Sequence, residues 1–326
     1  MSSARCKALH AWYNGAARAL PWRETTDPYR IWISEIMLQQ TQVKTVLPRY
    51  QTWFERFPDI ENLAAAHLDD VLKAWEGLGY YRRARFIHQT AQRIVTTHNG
   101  IFPHAFEAIV ALPGIGRSTA GAIASFCFAA ASPVLDGNVK RVLKRWHGMP
   151  QATEKTLWQQ AQKNIDDFHD PATCNQAMME LGATLCTVKK TDCACCPVAA
   201  HCVAAFQVES IQKNSKSTHI RDVHWQVHLH LNAQKGIWLT QRPDSGIWAG
   251  LWTPPISELN KKPAHKPCHI HLLTHRRLHL YSDISHNPPT GNGQWVVDIA
   301  QLALPTGIHH LLTKKGATAS IKQQEP

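Results

Sequence analysis

LPGIGRSTAG, residues 112–121, decides how the first part of the chain is read. A Pro-Gly-x-Gly turn there joins two stretches with apolar residues every three or four positions, the helical period. Such a turn leaves the first amides of the second helix unpartnered and aimed outward, where they can receive an anion such as a nucleic-acid phosphate. Gly114, Gly116 and Arg117 belong to this turn, and Lys140 supplies a second cation. Together they would hold a strand without reading its bases.

Residues 108–136 also imitate a dinucleotide-binding unit, with an apolar run, Gly114-x-Gly116, a helix, and a second apolar run ending in Asp136. Three details oppose that reading. The third glycine position is Thr119, Pro113 would end a central strand, and no alternating strand–helix series continues a sheet.

Outward from the turn, residues 1–206 keep the helical pattern, with clear periodicity over 63–78 and 105–112. SIQKNSKSTHIRD, residues 210–222, offers no apolar face and reads as a linker. Beyond it the period becomes two: Trp225, Val227, Leu229 and Leu231 alternate with Gln226, His228 and His230. Further strands are expected at 236–240, 278–281 and 295–297. The expected division is therefore a helical domain over 1–206, a linker over 207–222 and a smaller β-rich domain over 223–326. At 326 residues with 44% hydrophobic side chains, the chain can build two cores. Its longest apolar run, 119–134, is too short for a bilayer and is broken by Ser125 and Ser132, and no signal-peptide pattern opens the sequence. Membrane and secreted classes are excluded on this reading.

Thirty-five Lys and Arg face 24 Asp and Glu, a formal charge of +11. Residues after 210 hold 13 of the basic and only 6 of the acidic side chains, so the linker and second domain together carry most of the surplus. A polyanionic partner fits this balance without being required by it. Five of nine cysteines crowd into residues 186–202, which disfavours paired disulfides and points to a reducing cytoplasm. Cys186, Cys193, Cys196 and Cys202 have the spacing of four thiolates converging on one soft centre, either structural zinc or an iron–sulfur cluster. Cys195 is a fifth thiol, left out on spacing.

Two carboxylates stand in unusual company. Glu35 lies among Trp32, Ile33, Ile36 and Met37, in a helical segment expected to end before Pro48. Burial would raise its pKa and suit it to general acid work, whereas a cap at Ser34 would let the helix dipole favour the anion. Asp136 follows Pro133, Val134 and Leu135 and precedes Gly137 and Asn138, the setting of an N-cap. An acid and a carboxylate flanking a glycosidic bond are also what hydrolysis through an oxocarbenium-like state needs.

Taken together, LPWR, SEIMLQQTQV, GLGYYRRAR, LPGIGRSTAG, VLDGNVKRV, NQAMMELG and the four-cysteine loop resemble the helix-hairpin-helix DNA glycosylases, and specifically the adenine DNA glycosylase (MutY) family. The resemblance spans nearly the whole first domain. It implies a mainly α catalytic domain with a helix-hairpin-helix and an iron–sulfur cluster loop, followed by a smaller α+β Nudix-like domain. The implied cofactor is a 4Fe–4S cluster on Cys186, Cys193, Cys196 and Cys202. The implied substrate is double-stranded DNA carrying adenine opposite 8-oxoguanine or guanine, bound by a monomer in the bacterial cytoplasm with no membrane partner.

The same resemblance implies that Glu35 protonates the departing adenine, that Asp136 stabilises or traps the sugar cation, and that Asn138 orients Asp136. Trp22, Arg23, Leu38, Gln176 and Ser118 would surround the extruded base, although core packing explains Trp22 and Leu38 nearly as well. Gln40 and Tyr80 would fill or wedge the duplex. Ser118 stands where the endonuclease III branch has a Schiff-base lysine, which implies a monofunctional enzyme with Lys140 as a phosphate contact. QRPDSGIWAGLW, residues 241–252, matches the opening of the recognition module, and HLLTH, residues 271–275, matches its loop facing the damaged base. Within that loop Thr274 and His275 are the candidate contacts, and Leu273 departs from the usual Phe. The few scattered carboxylates of the second domain suit binding rather than hydrolysis. An endonuclease III-like lyase, a nicotinamide-dependent iron–sulfur oxidoreductase and a non-enzymatic DNA-binding protein are the alternatives.

Overall fold

The computed structural model describes residues 4–168, 170–208, 220–285, 289 and 291–314. Most of the expected linker, 209–219, lies outside them, as does Glu325. Helices α1 to α11 run Ala4–Ala16, Pro28–Leu38, Val43–Arg56, Ile60–Ala65, Leu68–Ala74, Arg82–His98, Phe106–Val110, Arg117–Phe128, Gly137–Trp146, Glu154–Phe168 and Pro171–Thr184. Strands β1 to β7 follow at Arg221–Asn232, Gly236–Gln241, Trp252–Thr253, Ile256–Leu259, His269–Leu272, Arg276–Ser285 and Gln294–Val296, and α12 closes the described chain at Thr306–Lys314. No described helix is long and apolar enough to cross a membrane. The chain forms two compact units. The first holds Met1–Tyr50, Phe57–Ala64 and Gln89–Ser215; the second holds Gln51–Arg56, Ala65–His88 and Lys216–Pro326.

In the first unit α7, the turn and α8 form a helix-hairpin-helix. Gly114 takes φ of +74°, a conformation open to glycine at no steric cost, and Gly116 precedes α8 with no side-chain cap. Residues 108–136 are therefore helix, turn, helix and extended run, which removes the dinucleotide-binding reading. Leu9, Val139, Leu143, Leu157, Ile165 and Leu181 join α1, α9, α10 and α11 in one core.

Three local details have identifiable causes. Asp27, not Ser34, caps α2, accepting from the Tyr29 N–H at 2.9 Å. The helix bearing Glu35 ends at Leu38, and Pro48 sits inside the next helix, where the amide it lacks costs one backbone hydrogen bond. Residues 63–78 break at His67, whose extended backbone and ring Nδ1, accepting from the Asp69 N–H, start α5 afresh.

The extended run before Asp136 is pinned from two sides. Asn175 of α11, buried, accepts from the Val134 N–H at 2.9 Å and donates to Ser125 Oγ and the Ser132 carbonyl at 2.9 Å each. Opposite it, Gly121 of α8 lies so close that a Cβ would stand 2.3 Å from the Pro133 carbonyl oxygen.

The second unit carries a mixed sheet in the order β3-β2-β1-β6-β5, with β4 also paired to β1 and β7 to β2. β1 and β6 run parallel; the other pairs are antiparallel. Val227, Leu229, Ile237, Leu278 and Leu280 meet Ile308 and Leu311 of α12 in its core. The expected alternation in β1 holds through Leu229 and then slips: His230 is buried and Leu231 only partly so. β3, β4 and β5 were not expected, being two to four residues long. Because His271 and Leu272 belong to β5, the loop expected over 271–275 shrinks to a turn at Leu273, Thr274 and His275.

Gly121→Ala tests the pinning. Alanine gains about 1 kcal/mol of helix propensity, but a backbone carbonyl cannot step aside as a side chain can, and overpacking costs about 1–3 kcal/mol. The thermal unfolding midpoint should fall; a rise would contradict the close approach.

Candidate active site

A cavity of about 500 Å³ opens in the first unit, within the ordinary range for a small-molecule site. Glu35 from α2, Asp136 and Asn138 from the start of α9, Gln176 from α11, and Trp22, Arg23 and Leu38 all line it. Trp22 is 7% exposed and packs edge-on against Tyr50, so it serves core and cavity wall at once.

The two carboxyls differ in their surroundings. Glu35 is the eighth of the eleven residues of α2, beyond the reach of the positive end of the helix dipole. Burial, and then the charge of Asp136, push its pKa up to about 8. Asp136 is raised by burial too, but the N–H groups of Val139 and Asn138, the Arg141 charge and the Asn138 side chain all pull it down. Asp136 caps α9, accepting from the Val139 N–H at 2.7 Å, while Asn138 Nδ2 lies 3.4 Å from its other oxygen. Arg141 Nη2 in turn donates to Asn138 Oδ1 at 2.9 Å and to the Gly182 carbonyl at 2.6 Å, and its Nε to the Cys186 carbonyl at 2.8 Å. Gly182 permits this approach, since a Cβ there would meet the Asn138 Cβ at 2.7 Å. Both carboxyls are thus raised by burial, but only Asp136 has hydrogen bonds and a cation that offset part of the rise.

Sequence reasoning missed Glu180. Its side chain is fully buried and takes hydrogen bonds of 2.7 Å from Arg18 Nε and Nη2 and from Arg23 Nη2, at the cavity wall. Burial would raise this carboxyl, but the two guanidinium groups more than offset that and hold it below its usual value. Four residues earlier on α11, Gln176 Oε1 accepts from the Tyr13 hydroxyl. The available signal was a Glu one turn beyond Gln176, inside the apolar run of NQAMMELG.

Other expected residues lie away from the cavity. Ser118 does not line it; its Oγ accepts from the Leu135 N–H at 3.1 Å, one residue before Asp136. Gly114, Gly116 and Arg117 are exposed, with the Arg117 guanidinium 4.0 Å from the Trp158 ring centre, and Lys140 pairs with Glu154 at 3.0 Å. Gln40 and Tyr80, both exposed, take positive φ of 57° and 49°, strain that in non-glycine residues clusters at functional sites. In the second unit the Tyr80 hydroxyl is hydrogen-bonded to Thr274 Oγ1, and His275 is exposed beside it in the same turn.

The four expected thiols, Cys186, Cys193, Cys196 and Cys202, line one small cavity, whereas Cys195 is exposed and does not. Arg145 Nη1 lies 3.3 Å from Cys186 Sγ, and backbone N–H groups of Val198 and of Ala204 and Ala205 favour the anions of Cys196 and Cys202 against their burial. Burial outweighs these N–H groups and raises both thiols, so the four sulfurs fit a thiophilic centre that displaces their protons. Among the described residues, no three His, Cys, Asp or Glu side chains converge closely enough to hold one metal ion.

A profile of HhH-GPD superfamily base excision DNA repair proteins matches residues 33–166. The adenine DNA glycosylase of Buchnera aphidicola subsp. Baizongia pistaciae is 42% identical over 253 residues, covering 75% of this chain and 71% of that protein. This chain belongs to the adenine DNA glycosylase family. The adenine DNA glycosylase of Buchnera aphidicola subsp. Acyrthosiphon pisum is 40% identical over 253 residues, covering 75% and 71%. Among solved structures, a thermostable thymine-DNA glycosylase matches with a TM-score of 0.56 at 26% identity, covering 62% of this chain and 95% of that one. Both carboxyls of this adenine DNA glycosylase family member fall on the cavity; Glu35 lies inside the matched residues 33–166, and so does Asp136.

Carboxyl-selective infrared or NMR titration should detect one group ionising near pH 8 that is absent from Glu35→Gln. In Asp136→Asn the midpoint should fall, because a repelling anion is gone, yet stay above an ordinary glutamate because burial is the larger cause. An unchanged midpoint would mean that the two groups do not interact.

Proposed function

We propose that this adenine DNA glycosylase of base excision repair releases adenine paired with 8-oxoguanine or guanine, with Glu35 as acid and Asp136 as the counter-charge. The observation that carries the reading is the pair of carboxyls on one cavity, Glu35 pushed up to about 8 by burial and Asp136, and Asp136 given hydrogen bonds and a nearby guanidinium that partly offset its own burial. Near neutral pH a protonated Glu35 gives its proton to a five-ring nitrogen of the adenine. The glycosidic electron pair leaves with the base. The positive charge left on the sugar faces the Asp136 carboxylate, which Asn138 and the Val139 N–H hold in place, until water adds to the anomeric carbon.

Double-stranded DNA is the substrate, and its adenine must first leave the stack, at a cost of a few kcal/mol. Trp22, Arg23, Leu38 and Gln176 then enclose the base, and Glu180 keeps Arg23 from collapsing into the space. Gln40 and Tyr80 occupy the gap in the duplex, while Thr274 and His275 face the opposite base. The uncapped start of α8, with Gly114, Gly116 and Arg117, takes a backbone phosphate. Lys140 joins it by exchanging the exposed Glu154 pair, which is worth little in water.

The enzyme is monofunctional on this reading. A Ser118 hydroxyl cannot form an imine, and it is engaged with the Leu135 amide. Cys186, Cys193, Cys196 and Cys202, which line one cavity, would hold the 4Fe–4S cluster that the family resemblance implies. The cluster would supply a rigid tether for residues 186–202. We take the enzyme to act as a monomer, and thiolate ligands suit a reducing bacterial cytoplasm.

Duplexes with adenine opposite 8-oxoguanine, guanine or thymine provide the test. Base release opposite the first two, with strand breaks only after alkali, is expected; breaks without alkali would indicate a lyase. Glu35→Gln should slow release by about 10²–10⁴-fold. The wild-type kcat/KM should decline as pH rises through about 8, where Glu35 loses its proton. Full activity in Glu35→Gln would overturn the mechanism.

A further inference from the structure

Asp69 has no part in the cavity, yet its carboxylate is where two strands of the second unit meet the helical segment Ala65–His88 of that same unit. Trp252 Nε1 donates to its Oδ2 at 3.1 Å and Gln241 Nε2 to its Oδ1 at 3.0 Å. These two donors are not arbitrary neighbours, because Gln241 of β2 and Trp252 of β3 are directly paired across the ladder. One carboxylate therefore spans one rung. Gln241 Nε2 also reaches the Gly250 carbonyl at 3.1 Å, tying in the loop between the strands. Arg85, on the same helical segment, pairs with Asp244 of that loop at 3.0 Å and packs where a Gly250 Cβ would stand 1.6 Å from its Nη2.

The segment also touches the sheet elsewhere. Tyr80, between Asp69 and Arg85 in sequence, bonds Thr274 in the β5–β6 turn. Within the sheet the two points are linked by aromatic contacts: Trp248 of the β2–β3 loop stands 5.6 Å, ring centre to centre, from His271, which begins the approach to that turn. Asp69 and Arg85 thus set where the β2–β3 loop sits, and the loop sets where Thr274 stands relative to Tyr80.

We propose that Asp69 is a positioning residue for recognition of the base opposite the excised adenine. It fixes the spacing of the Tyr80 and Thr274 hydroxyls through the Gln241–Trp252 rung. The proposal rests on the reading of Tyr80 and Thr274 as contacts to the opposite strand. A carboxylate accepting two donors is suited to this, since charge-assisted bonds are short and directional. Loss of it leaves the chemistry intact but lets the two hydroxyls drift.

The test is single-turnover adenine release from duplexes carrying adenine opposite 8-oxoguanine or guanine. Wild type should prefer 8-oxoguanine, and Thr274→Ala should lower that preference; absence of any preference would remove the underlying reading and this proposal with it. Asp69→Ala should lower the ratio of the two rates by about tenfold, the scale of a positioning error below an ångström, while the rate opposite guanine stays within about twofold. Asp69→Asn, which keeps one acceptor, should recover part of the ratio. Trp252→Phe keeps the packing and removes one donor, so it should lower the ratio alone and add little on top of Asp69→Ala. It also carries the test if Asp69→Ala does not fold. A lowered ratio in Thr274→Ala with an unchanged one in Asp69→Ala and Trp252→Phe would overturn the proposal and spare the reading of the turn. Equal losses on both duplexes would also overturn it, since they would mark a merely structural contact.

Discussion

Two buried carboxyl groups sharing one cavity cannot both carry charge cheaply, and the first unit supplies compensating hydrogen bonds to only one of them. Asp136 receives backbone and side-chain N–H groups because it begins a helix, whereas Glu35 stands mid-helix where every backbone N–H is already committed. The asymmetry is therefore a property of where each residue falls in its helix. It survives only while the run before Asp136 stays in place, which is the task of the Asn175 amide and of two glycines that let backbones meet.

The polar groups around the cavity form a second layer of constraint. Arg18 and Arg23 balance the buried Glu180, so the wall carries guanidinium groups without a naked charge. Arg141 and Arg145 of α9 both donate to the Cys186 carbonyl, and Arg141 also holds Asn138. The cysteine loop and the carboxylate thus lean on one helix.

The change from helical to alternating period was legible, because it is written in neighbouring residues. So were the hairpin turn, the four thiols and the two carboxyls, each with a local pattern that chemistry restricts. Glu180 was not: its partners lie 157 and 162 positions away, and no local pattern reports such a pairing. The break at His67 depends on a ring accepting from a nearby amide, a choice that apolar periodicity does not encode. β3, β4 and β5 are too short to show a period. The placement of Ser118 outside the cavity depends on an amide reached only when α8 packs against the extended run.

The second unit is discontinuous along the chain, taking Ala65–His88 from the midst of the helical sequence. A single cut within 209–219 would therefore divide that unit between the two pieces rather than release it whole. A fragment ending at 208 would carry α5 and Arg85 with their strand partners gone, leaving Asp69 and the guanidinium to water. Truncation at the linker exposes a wound rather than releasing a finished domain.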